Sequence, residues 1–154
     1  MEPDELPREV VQIGGVIHRS GYFSWGVPPL WVVVVPCLTG FLSPMVYYWE
    51  WVPRLFDWDL VTPFVVLILA SPLLYFAPKP VGRSPELIAG TNVGMFLAFW
   101  PQLFFFVWFI VVILYWIFQS MFVWKYKYPA FRIGTWIGLG AVSGLFVGGF
   151  VFFI

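Results

Sequence analysis

From residue 87 to residue 124 the chain runs for 38 residues without a charged side chain. A single helix of that length would extend about 57 Å, nearly twice the hydrocarbon thickness of a bilayer. The run must therefore break, and both pieces need apolar surroundings. The whole chain poses the same demand, since 61% of its 154 residues are apolar, 23% are aromatic and 10% are charged. Its mean hydropathy is +0.88. Soluble domains average about 25% charged residues, and a chain this small buries only part of its own surface. The sequence reads as an integral membrane protein. In lipid only helices and closed barrels satisfy their own backbones, and long apolar runs without alternation select helices. The fold expected is all-α: a polytopic transmembrane bundle of four or five spans, with proline-kinked helices and a glycine-rich last helix.

Residues 1–26 form an amino-terminal extramembrane or interfacial segment. Its start, "MEPDELPREV", is acidic and carries proline. It has neither the basic n-region of a secretory signal nor the Arg-rich character of a transit peptide, so the first spans are expected to act as the targeting signal. Residues 27–49 make the first transmembrane helix. Pro28 and Pro29 suit its start, and Trp31, Tyr47, Tyr48 and Trp49 mark its two ends as an aromatic belt would. Pro36 and Pro44 should kink it, each removing a backbone donor. A charged loop with Glu50, Arg54, Asp57 and Asp59 leads to a second helix over residues 60–77, kinked at Pro72. Ser84, Pro85 and Glu86 then compose a helix opening of N-cap, first-turn proline and first-turn acid.

The 38-residue run divides at "FWPQL", where Trp100 and Gln102 are interfacial in character and Pro101 disfavours helix at the residue before it. Residues 102–124 are then a full span, and residues 85–100 a short transmembrane or interfacial helix. Charge separates these alternatives. With four crossings, Arg8, Arg19, Lys79 and Arg83 oppose Arg54, Lys125, Lys127 and Arg132, which gives no orientation. With five, Arg54 stands alone against the other seven basic residues. The positive-inside bias favours five, with the amino terminus on the cytoplasmic or matrix side. Residues 133–154 complete the set as a glycine-rich helix whose carboxyl end is expected at the far membrane face.

That last segment holds six glycines. Residues four apart lie nearly in line on a helix, so Gly134, Gly138, Ala141, Gly144 and Gly148 gather on one side, with Gly140 and Gly149 at its margins. Trp136, Leu139, Phe146 and Phe150 take the other side. Hydrophobicity does not drive helices together in lipid; close approach over small residues does, and this glycine-zipper pattern serves it. Gly90, Gly94 and Ala98 form a second small-residue stripe. The two stripes either pack against each other or meet another subunit.

Ionisable residues inside a membrane mark ion paths and substrate sites because they are costly there. The clear spans contain none, which disfavours proton pumps and carboxylate-based transporters. Gln119, Asn92, Thr39, Thr62, Ser43 and Ser71 are the strongest polar groups in the apolar runs, and such residues usually bond a neighbouring helix or their own backbone. His18, the single histidine, cannot supply a two-histidine metal or haem site. Cys37, the single cysteine, lies in an apolar run and forms no intrachain disulfide. Asp57, Asp59 and Glu50 make at most a weak cation site. No CxxC, HExxH, GxSxG or P-loop pattern occurs. Catalytic residues, metals, cofactors, nucleic acid and small-molecule substrates are therefore not assigned. In "KYKYPAFR", Lys125, Lys127 and Arg132 can hold anionic lipid headgroups, each contributing about 1 kcal/mol near a negative surface; ordinary interfacial anchoring uses the same physics.

The function expected is that of a non-catalytic accessory subunit of a larger membrane complex, packing against other membrane-protein subunits and lipids. A respiratory or photosynthetic electron-transport assembly, in the mitochondrial inner membrane or a prokaryotic plasma membrane, is the setting where small polytopic subunits abound. The rival is an independent small transporter or channel framed by kinked helices. A lipid-acting enzyme is a third class, without a visible catalytic pair.

Overall fold

The computed structural model describes residues 30–48, 60–76, 85–105, 107–123 and 128–153. These form five α-helices: α1 (Leu30–Leu42), α2 (Val61–Ala70), α3 (Pro85–Phe99), α4 (Trp108–Val123) and α5 (Ala130–Phe153). The described residues hold no β-strand, and the fold is all-α. Among them, Ala130–Phe152 is the one helical stretch long and apolar enough to cross a membrane by length and composition. The segment 1–26, Pro28 and Pro29, the 50–59 loop, Ser84, His18, Lys125 and Lys127 lie outside the described residues.

Three of the helices do not stop but tighten. α1 continues as a 3-10 helix over Ser43–Tyr48, α2 over Ser71–Phe76 and α3 over Trp100–Leu103. Each tightening falls at a proline: Pro44, Pro72 and Pro101. The first two share the pattern Ser-Pro-x-x-Tyr. Proline lacks the N–H that an α-helix would direct to the carbonyl four residues back. For Pro44 that carbonyl belongs to Gly40, and the Ser43 hydroxyl donates to it at 2.7 Å. The serine thus repairs what its proline removes. Pro36, by contrast, sits inside α1 without ending it.

The 38-residue run divides at the Trp100–Leu103 turn, and its second helix starts at Trp108, six residues later than residue 102. Side chains fix this corner. Gln102 Oε1 accepts the Phe109 backbone N–H at 2.8 Å, satisfying a donor that the first turn of α4 would otherwise leave open. The Trp108 indole N–H donates to the Ala98 carbonyl at 3.0 Å, tying α4 back to α3.

α5 is the axis of the bundle. A Cβ on Gly90 would strike Phe131, and one on Gly94 would strike Thr135; Gly134 faces Leu87 and Thr91, and Gly138 faces Thr91 and Met95. Sequence numbers rise together on both sides, so α3 runs parallel to α5. Gly40 meets Ala141 and Leu145, Gly144 meets Cys37 and Phe41, and Gly148 meets Phe41, so α1 is parallel to α5 as well. α4 runs the opposite way: Ser120 lies beside Trp136, and Phe109 beside Phe146 and Phe150. α2 starts at the carboxyl end of α3, where the Phe64 and Phe99 rings stack at 3.9 Å and 5°. The core they enclose includes Leu67, Leu87, Met95, Phe99, Trp136, Leu145 and Phe146.

Candidate functional site

The small residues of α5 occupy one arc of the helix but serve two neighbours. At 100° per residue, Gly134 and Gly138 lie roughly 80° from Gly144 and Gly148. The first pair receives α3 with its Gly90 and Gly94; the second receives α1 at Cys37 and Phe41, and Gly40 of α1 meets Ala141 and Leu145 beside it. Ala141, between the pairs, is buried, as is Ala98 on α3. Gly140 looks toward α4, where an added Cβ would meet the Trp116 ring 2.8 Å away. The bulky side of α5 is covered too, since Trp136 and Phe146 are buried while Phe150 is exposed. In these contacts the stripes of α3 and α5 lie against each other within the chain.

Gly40 was the partner that sequence reasoning missed. Its signal was present, because a glycine inside an apolar helical run weakens the helix unless packing requires it. What the sequence lacks is any mark that it meets Ala141 and Leu145 on α5.

Most polar side chains in the helices bond locally. Thr39 Oγ1 donates to the Val35 carbonyl and Thr91 Oγ1 to that of Leu87, both at 2.8 Å, and Asn92 Nδ2 donates to Ile88 at 2.9 Å. Thr62 and Ser71 are buried and engaged. A relay links α4 and α5: the Trp136 indole N–H donates to Ser120 Oγ at 2.8 Å, and Ser120 Oγ donates to the Trp116 carbonyl at 2.7 Å. Ser120→Ala removes this acceptor and should lower stability by about 1 kcal/mol, the usual net worth of one hydrogen bond. Thermal unfolding in detergent measures it.

Two buried groups are exceptions. Ser143 Oγ on α5 has no hydrogen-bond partner, and Gln119, 6% exposed, has none at its Oε1. Leaving a buried polar atom unsatisfied costs about 1–3 kcal/mol. Gln119 lies in the wall of an open cleft of about 440 Å³ between α3, α4 and α5. Leu97 and Ala98, Trp108 and Val112, and Leu139 give the cleft an apolar lining; Tyr115, Thr135 and Arg132 supply its remaining polar groups. Arg132 is exposed, and its guanidinium sits 4.2 Å from the centre of the Tyr128 ring. Of the three basic residues expected to meet headgroups, Arg132 is the one within the described residues.

A third feature is the outer face of α4. Ile110, Val111, Leu114, Ile117, Phe118 and Met121 are all exposed, while Val112, Gln119 and Val123 are the buried positions of the helix. Together with exposed Leu97, Phe104 and Phe105 this is a continuous apolar exterior without a charge, well beyond the scattered apolar residues normal for a surface in water. No protein-family model, curated protein or solved structure matches this chain.

Proposed function

We propose that the chain is a five-span membrane protein and a non-catalytic accessory subunit of a larger membrane assembly, meeting lipids and partner helices through the outside of α4. The observation that carries this reading is the charge-free exterior of α4, left over after the glycine seams have been used inside the chain. Water would penalise such a face, whereas hydrocarbon or another apolar helix would cover it.

Helix direction supports five crossings. A chain that crosses five times sends its first, third and fifth spans the same way, as α1, α3 and α5 run. Were α3 a surface helix, four crossings would set α1 and α5 antiparallel. The 3-10 extensions bear on span length, because a 3-10 helix rises about 2.0 Å per residue against 1.5 Å for an α-helix. With them, α1, α2 and α3 reach about 32, 27 and 31 Å, close to a hydrocarbon core of about 30 Å. Stretching the prolyl ends lets short helices cross.

Comigration in mild detergent tests the assignment. The protein should run with a larger complex on native gels, and Phe118→Ser with Ile117→Ser should release it while leaving its own helical content and unfolding temperature intact. A protein that migrates alone and moves solute in liposomes belongs instead to the transporter class.

A further inference from the structure

We propose that the cleft between α3, α4 and α5 is a binding site for one anionic phospholipid, its phosphate at Arg132, its interfacial backbone beside Gln119 and one acyl chain along the apolar wall. The site rests on the membrane embedding argued above but is independent of any partner subunit.

Three observations point to this occupant. The first is the carboxamide of Gln119, more than nine-tenths buried, in the cleft wall, with its oxygen lacking a donor. A terminal sp³–sp² torsion is soft, so rotation about χ3 can present either the oxygen or the amide N–H to the cleft. The group therefore suits a ligand segment rich in ester carbonyls and hydroxyls, where an all-hydrocarbon occupant would leave it unsatisfied. The second is the order of polarity along the helices. Ser120 is level with Trp136, which sets Gln119 about 7 Å along the axis from Arg132 at 1.5 Å per residue. Beyond Gln119 the wall becomes Tyr115, Trp108, Val112, Leu97 and Ala98, apolar but for the Tyr115 hydroxyl and the Trp108 indole N–H, which is already bonded to Ala98. Charge, then hydrogen-bonding group, then a wall dominated by hydrocarbon is the order of a phospholipid from headgroup inward. The third is charge complementarity, because the cationic group in the lining is a guanidinium, whose fork of donors matches phosphate oxygens. Leu97 and Tyr115 of the lining are exposed, so the cleft is open to a lipid from outside the protein.

Trp108 provides a reporter within the wall. The purified protein is titrated in mixed micelles with phosphatidylglycerol carrying brominated acyl chains, and with the phosphatidylcholine equivalent, following quenching of tryptophan emission. Trp108→Phe identifies the component that arises in the cleft. Saturable quenching of that component is expected, with at least tenfold tighter apparent binding of phosphatidylglycerol. Arg132→Gln should abolish the preference between the two lipids. Gln119→Met keeps the volume but removes the carboxamide; it should weaken binding severalfold and raise the unfolding temperature of the lipid-free protein. Phe118→Leu, on the outer face of α4, should change neither. Equal binding of both lipids by the unaltered protein, or no Trp108 component in the quenching, overturns the proposal. So does a protein that self-associates with Trp108 shielded from brominated chains, since a second copy then fills the cleft. Loss of comigration in native gels would strike the subunit assignment while leaving this binding result untouched.

Discussion

Gly144→Leu is expected to dismantle the fold of the isolated protein. A side chain at this position would begin inside the Cys37 carbonyl of α1, and a backbone group in a helix cannot rotate aside. The helices would have to separate along the whole α1–α5 seam, forfeiting the contacts at Gly40 and Gly148 as well. Overpacking a tight core usually costs about 1–3 kcal/mol, and a seam that fails as a unit should lose more than about 3 kcal/mol, the upper end of that range. Gly138→Leu should do the same to the α3–α5 seam, where the obstacle is the Thr91 carbonyl. Gly140→Ala is the contrasting case, because its obstacle is the Trp116 side chain. That ring can shift, and alanine gains close to 1 kcal/mol of helix propensity over glycine, so the change should be near neutral. Denaturant unfolding of purified variants in a single detergent separates these outcomes. If Gly144→Leu unfolds at the same denaturant concentration as the parent, the seam as described is wrong.

Phe99→Ala is the second large effect. The ring is buried, stacked on Phe64 and 6.4 Å from Phe146, with Phe109 and Phe150 continuing the series of rings on the far side. It joins α2, α3 and α5 at one level. Removing a buried phenylalanine costs about 3–5 kcal/mol in soluble cores. In a lipid surrounding the transfer share of that cost shrinks, since unfolded helices remain in hydrocarbon. The lost dispersion and the cavity remain, and aromatic pairs add about 0.5–1.5 kcal/mol each. A loss of about 3 kcal/mol is expected. Phe104→Ala, at an exposed ring, should stay within about 0.5 kcal/mol. Equal losses for the two would mean that the Phe99 ring is not packed as described.

The sequence carries the helical character and the break at Trp100 because both depend on local chemistry: unbroken apolar runs and a proline that disfavours α-helix at the residue before it. It also marks the small-residue stripes, since fourfold spacing is a property of one helix. The partners of those stripes are not local. Nothing in residues 133–154 says that Gly134 and Gly144 serve different helices; that follows from where α1 and α3 come to rest. Gln102 looked interfacial from its neighbours, yet its oxygen holds the first turn of α4 from six residues upstream of Trp108. The Ser-Pro pairs were legible as kinks, but a proline alone does not mark a 3-10 continuation, since Pro36 sits inside α1 without one. The cleft is the least legible feature of all. Its wall draws on three helices, and Gln119 becomes unusual only when the neighbours that fail to bond it are known.

Both parallel seams close on α5, which leaves the ribosome after α1 and α3. Until then α1 and α3 present glycine-lined backbones with no surface to receive them. A chain that stalls before residue 130 therefore has neither seam. The fold is closed by a single event, the arrival of α5 between its two neighbours.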